Sequence, residues 1–204
     1  MIQILLPELV PGTVLRFPCS YADYERIAAQ RGTSSIPRLK YQHGEVFLMV
    51  PLPEHGKNAD IVAIVARTLL DHQEQDYDAF TPVTITLPQV GGIEPDYCFY
   101  ITNWRAVQGK KRINWQTDPP PDLVIEVDVS SFSHIEDYAP YKVPEVWMFN
   151  EQLRIYQFLE SRYIETTESR FFPGYDLQRL VAEVLQLAYE QNTSVAIRHL
   201  RSSL

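Results

Sequence analysis

The stretch Asp122-Leu-Val-Ile-Glu-Val-Asp-Val129 constrains this chain more than any other. Side chains in an extended strand alternate between faces, so Leu123, Ile125, Val127 and Val129 share one face, and Asp122, Val124, Glu126 and Asp128 the other. The apolar face needs a cover of packed elements. The opposite face carries two carboxylates in mid-strand, roughly 7 Å apart, which at an effective dielectric of about 20 repel by on the order of 2 kcal/mol. Hydration of a solvent-facing strand offsets that repulsion, and so does a bound cation.

A second acid bears on the choice. Ile93-Glu94-Pro95-Asp96 opens the preceding apolar run as Asp122 opens this one, and strands adjacent in sequence usually pair in space. Asp96, Glu126 and Asp128 can then converge on one side. A hard divalent ion such as Mg²⁺ takes one or two carboxylates, waters and phosphate oxygens, which is the set these three acids can supply.

Around this centre the pattern is one of strands and flanking helices. Leu39 to Tyr41 and Glu45 to Val50, joined by Gln42-His43-Gly44, predict a hairpin ending before Pro51 and Pro53. Four further strands are expected at Val83 to Leu87, Asp96 to Ile101, Asp122 to Val129 and Glu145 to Phe149, with a hairpin from Leu153 to Leu159 and Arg162 to Thr167. Ser20 and Asp23 have capping-box spacing ahead of a short helix to Gln30. Ile61, Ile64, Val65, Thr68 and Leu69 recur with helical spacing between about Gly56 and Glu74. Leu177, Leu180, Val181, Val184, Leu185 and Ala188 line one face of a helix from Asp176 to Gln191, and residues 194 to 200 add a turn or two. The fold class is α/β (α+β), a mixed sheet flanked by helices with added β-hairpins, in one domain over residues 1–204.

Charge and small motifs narrow the chemistry. The net charge of −8 repels a polyanion, so a nucleic-acid role requires basic residues concentrated locally. Arg105, Lys110, Lys111 and Arg112, beside Trp104, Gly109 and Trp115, form such a cluster, read either as a hairpin tip in solvent or as phosphate contacts with stacking. His55 reads as a helix-capping residue rather than a zinc ligand. Cys19 and Cys98 form no disulfide framework, which with the short apolar run Ile2 to Leu6 points to the cytoplasm and to no membrane anchor. No phosphate-binding glycine loop or nucleophile elbow is present, against kinases and serine hydrolases.

Five segments taken together carry a resemblance: Arg38-Leu-Lys-Tyr-Gln-His-Gly-Glu-Val46, Pro53-Glu-His55, Gly92-Ile-Glu-Pro-Asp96, Pro120-Pro-Asp-Leu-Val-Ile-Glu-Val-Asp128 and Val143-Pro-Glu-Val-Trp147. Over about residues 38–175 the chain resembles the Uma-type restriction endonuclease family of the PD-(D/E)XK, restriction-endonuclease-like nucleases. The resemblance implies a Mg²⁺- or Mn²⁺-dependent endonuclease acting on nucleic acid, DNA above all. It makes Asp96 and Glu126 the metal-binding acids, with Asp128 beside them and Glu45 as the family's earlier glutamate. Asp128 stands where the motif has lysine. Many relatives carry a lysine four residues before a tyrosine on the next element; with Tyr138 as that tyrosine, the position is His134. Lys142 and Lys57 are the other basic candidates, each also readable as a solvated charge. A homodimer suits cutting of two antiparallel strands, and a separate specificity partner is the other arrangement expected. The alternative to an enzyme is a catalytically degenerate nuclease fold that binds nucleic acid or protein.

Overall fold

A computed structural model describes residues 9–128 and 133–204. The apolar run Ile2 to Leu6 and the expected strand end at Val129 lie outside the described residues. Among the described residues eleven strands run in chain order: β1 (Val14–Pro18), β2 (Arg38–Gln42), β3 (Glu45–Met49), β4 (Asp78–Phe80), β5 (Ile85–Leu87), β6 (Gly91–Ile93), β7 (Tyr97–Tyr100), β8 (Leu123–Val127), β9 (Glu145–Asn150), β10 (Gln152–Leu159) and β11 (Arg162–Thr166). The α-helices are α1 (Tyr21–Arg31), α2 (Pro53–His72), α3 (Trp104–Val107), α4 (Leu177–Glu190) and α5 (Thr193–Ser203), and Ile135–Tyr141 forms a 3-10 helix. The mixed α/β architecture read from the sequence is observed, distributed over two sheets and two compact units, Met1–Gly56 with Thr84–Glu94, and Lys57–Val83 with Pro95–Leu204.

The first unit holds an antiparallel sheet in the order β1-β3-β2-β6-β5. Alternation in β2 and β3 buries Leu39, Tyr41, Val46 and Leu48 against Tyr24 and Ile27 of α1. Ser20 caps α1, its Oγ accepting from Asp23 N–H at 3.1 Å. β6 contributes almost no side chain, and Gly92 shows why. A Cβ there would lie 1.9 Å from the Tyr24 hydroxyl, so glycine is needed for the close approach. Glu94 closes this unit. Its carboxylate pairs with Arg31 and accepts from Leu39 N–H at 2.8 Å and Thr84 Oγ at 2.6 Å.

The second unit holds the sheet β11-β10-β9-β8-β7-β4, antiparallel throughout except for the parallel pair β8 and β9. A parallel pair needs a crossover of a dozen or more residues. Here the 3-10 helix lies in that crossover. The face bearing Leu123, Ile125, Val127, Trp147 and Ile155 packs into one core with α2 from Ala59 onward, α4 and α5. Leu123, Ile125 and Trp147 are fully buried, each contributing on the order of 2 kcal/mol by removal from water. Asp176 and Asn192 cap α4 and α5 through Arg179 N–H and Val195 N–H, both at 3.0 Å.

One local reading is corrected. The basic stretch after Asn103 is no hairpin: it begins with α3 and passes into turns, with Gly109 at φ +71°. Asp122 sets this entry, its carboxylate accepting from Ile101 N–H at 2.7 Å, Asn103 N–H at 3.0 Å and Asn103 Nδ2 at 3.1 Å. Residues 194 to 200, read as a further helical turn or two, lie within the slightly longer α5.

Candidate active site

β7 and β8 pair antiparallel with Tyr97 opposite Ile125 and Cys98 opposite Val124. The next pair in that register sets Asp96 opposite Glu126. Directly opposed residues share a face with Cα atoms about 4.5–5.5 Å apart. Two ionised carboxylates at about 5 Å repel by roughly 3 kcal/mol at an effective dielectric of 20, so the surrounding donors matter. Asp96 is buried and its Oδ2 accepts from Val127 N–H at 2.7 Å. Glu126 accepts from Ser133 Oγ at 2.7 Å on Oε1 and from the Tyr138 hydroxyl at 2.9 Å on Oε2. Ser133 and Tyr138 both come from the crossover that follows β8.

Burial, and after it the charge of Glu126, raises the Tyr138 phenol well above its usual range, with Asp96 and Cys98 adding to the rise. Tyr138 therefore stays protonated and acts as a donor that fixes Glu126, not as a base. The Cys98 thiol, on the same face, is pushed up by burial first and by Glu126 and Asp96 next, which keeps it from being a thiolate nucleophile.

Asp128 follows β8 on the face of Glu126. It is buried, its N–H donates to Phe149 O at 2.9 Å, and its Oδ2 accepts from Ser133 N–H at 2.5 Å. It also lines a cavity of about 440 Å³ with Ser133, His134, Met148, Arg154 and Tyr156. His134 is exposed at the N-cap of the 3-10 helix, its N–H donating to Asp137 Oδ2 at 3.0 Å.

The other residues singled out from the sequence are held by their own elements. Glu45 belongs to the first unit, where its Oε2 accepts from Arg16 Nε at 2.9 Å. Lys142 is exposed and closes the 3-10 helix in a left-handed conformation, φ +52°. Lys57 donates to Ala188 O at 3.0 Å and sits 3.8 Å from the Tyr189 ring centre. Lys110 pairs with Asp118 at 2.7 Å, and the Arg105 guanidinium lies 4.5 Å from the Trp104 ring centre. Lys111 and Arg112 are exposed in the turns that follow α3.

Sequence reading missed Ser133 and Arg154. Nothing local marks either one. Arg154 emerges only from pairing, since Glu126 opposes Met148 on β9 and Met148 opposes Arg154 on β10, so all three stand in one row on one face.

Among the described residues no three His, Cys, Asp or Glu side chains are grouped to hold a metal ion. The donor set of Asp96 and Glu126, two hard carboxylates on facing strands, suits an ion such as Mg²⁺ that keeps several waters and does not require a cage of protein ligands. Among the described residues, no helix is long and apolar enough to cross a membrane.

A search of the curated proteins gave no match. Among solved structures, the chain is similar to one from Anabaena variabilis described as a "putative nuclease belonging to DUF820". Identity is 14% and the TM-score 0.50, with 91% of this chain and 98% of that one covered, a likeness of fold. The model of the Uma2 family, described as "Putative restriction endonuclease", matches residues 21–190 and so spans β2, β3, β5 and β6 of the first-unit sheet and the pair Asp96 and Glu126; the chain belongs to that family.

Proposed function

We propose that this protein is a metal-dependent endonuclease that hydrolyses phosphodiester bonds in nucleic acid, with DNA as substrate. The observation that carries the reading is the antiparallel register that brings Asp96 opposite Glu126, with Val127 N–H, Ser133 and Tyr138 as hydrogen-bond donors to the two acids. Asp96 and Glu126 are the residues that hold Mg²⁺ or Mn²⁺. Bound there, the ion supplies charge stabilisation at a phosphodiester and a lowered pKa for a bound water. The protein's own part is to orient the two carboxylates. Tyr138 fixes one oxygen of Glu126 and Ser133 the other, while Ser133 N–H holds Asp128. His134, exposed on the cavity shared with Asp128, is the proposed proton acceptor.

The test is cleavage of plasmid, linear duplex and single-stranded DNA with Mg²⁺ or Mn²⁺, comparing the native protein with Glu126→Gln, alongside calorimetric titration of metal. Metal-dependent cutting that disappears with metal affinity in Glu126→Gln supports the reading. A folded native protein that takes up no metal and cuts none of these substrates overturns it. That outcome favours a second reading, a nuclease fold that binds without cutting, which rests on Asp128 standing where the family motif has lysine.

A further inference from the structure

A polyanion approaching a chain of net charge −8 needs a cation at the place of contact. Three lysines of the second unit already have a place in the fold. Lys57 is held by Ala188 O and the Tyr189 ring, and Lys110 by Asp118. Lys142 caps a helix in a left-handed conformation. Arg154, which is exposed, differs from these in two respects. It shares the row of Glu126 and Met148 across the sheet, and it is the single Lys or Arg among the described residues lining the cavity that Asp128 enters. Two strand spacings of about 4.8 Å separate its backbone from that of Glu126. Tyr156, two residues along β10 and so on the same face, lines the same cavity as Arg154 and stands opposite Glu165 on β11.

We propose that Arg154 is the phosphate-contacting residue of this site, gripping a backbone phosphate of the nucleic acid next to the one held at Asp96 and Glu126, with Tyr156 as its positioning residue. The proposal rests on the nuclease reading above. The cavity rim also carries Glu136 and Glu151, both exposed. Their charge repels an anion over the whole opening and makes the position of the one arginine decide where a phosphate can settle. A planar guanidinium can grip two phosphate oxygens at once, which a lysine cannot.

The experiment measures fluorescence anisotropy of a labelled DNA duplex across a KCl series, in EDTA and in the Glu126→Gln background so that nothing is cut, together with Mg²⁺-dependent cleavage in the Glu126 background. Arg154→Gln is expected to weaken binding about tenfold and to lower the salt slope by about one, the signature of one lost phosphate contact. In cleavage it raises KM more than it lowers kcat. Arg154→Lys restores the slope and only part of the affinity. Tyr156→Phe gives a smaller loss of affinity with the slope unchanged. Arg162→Gln, exposed on β11 and on the opposite face of the sheet by register, is the control and leaves both unchanged. A change of slope in Arg154→Gln supports the proposal even if the native protein cuts no DNA, in which case the nuclease reading falls and the phosphate contact stands. Native cutting or binding that Arg154→Gln leaves like Arg162→Gln overturns the proposal while the nuclease reading is untouched. A native protein that neither binds nor cuts DNA overturns both.

Discussion

Glu126 and Glu145 lie on neighbouring parallel strands of one sheet, and they face opposite ways. Glu145 opposes Leu123 and so turns into the face packed by the helices. There it is fully buried, accepting from Trp147 Nε1 at 2.7 Å, Ser169 Oγ at 2.6 Å and Arg170 N–H at 2.8 Å. Glu126 opposes Met148 on the other face, is partly exposed, and stands opposite a second acid. Both carboxylates are hydrogen-bonded, so satisfaction alone does not tell a structural acid from a chemical one. Their surroundings do. Glu145 is enclosed with donors and has no acid opposite it, whereas Glu126 is set against Asp96, a juxtaposition that costs energy unless a cation joins it.

The sharpest way to break this contrast is Glu126→Gln. Activity should fall by roughly a hundredfold or more, since even a group one step removed from a metal ligand commonly matters tenfold to a hundredfold. Thermal stability should change little; a large fall in Tm would mean that Glu126 is a structural acid after all.

Next in size is Glu145→Ala. Three donors then lose their acceptor in the core, at roughly 1–3 kcal/mol each, so urea unfolding should show a loss of about 3 kcal/mol or more. The fraction that remains folded should keep its kcat. A loss of kcat at unchanged stability would erase the distinction between the two faces.

Tyr138→Phe probes the support of Glu126. Without the phenol, activity should drop about tenfold at a stability cost of about 1 kcal/mol. If kinetics with Mg²⁺ are identical to those of the native protein, the hydroxyl does not orient Glu126.

The smallest effect is a pH dependence. Burial raises the Glu145 carboxyl, partly opposed by the hydrogen bonds from Ser169, Arg170 and Trp147. Its folded pKa therefore exceeds the unfolded value of about 4.3. The stability it contributes is present below the unfolded pKa and is lost as pH rises through the folded one. Glutamine has no such step. Measured by urea unfolding, the advantage of the native protein over Glu145→Gln should be greatest near about pH 4 and shrink as pH rises; a constant difference would contradict a raised pKa.

Where alternation and apolarity coincide, the sequence was readable. β8, β9 and the helices α2 and α4 each bury a periodic face, and that periodicity is a local property. β6 has no such signature, because Gly92 leaves room for Tyr24 and, with Gly91 beside it, two of the three residues lack the side chains that announce a strand. The turn at Gly109 and the basic residues around it suggested a hairpin; the deciding interaction comes from Asp122, some twenty residues away in the chain. In the candidate site, Asp96 and Glu126 were visible because each opens or interrupts an apolar run. Ser133 and Arg154 were not, since their relation to Glu126 depends on a crossover and on two strand registers.

The parallel pairing of β8 and β9 has a consequence for how this centre can be inherited or rebuilt. Asp96, Glu126, Ser133 and Tyr138 all fall on one continuous segment that starts at Asp96, just ahead of β7, and ends at β9, because the crossover that joins the parallel strands also delivers the two hydroxyls. The centre is thus a portable cassette. Exchanging that one segment between relatives should transfer the acids together with their supports, while Arg154, on β10, stays with the recipient. Chimeras cut at the β9–β10 turn therefore separate the acidic centre from its proposed phosphate grip.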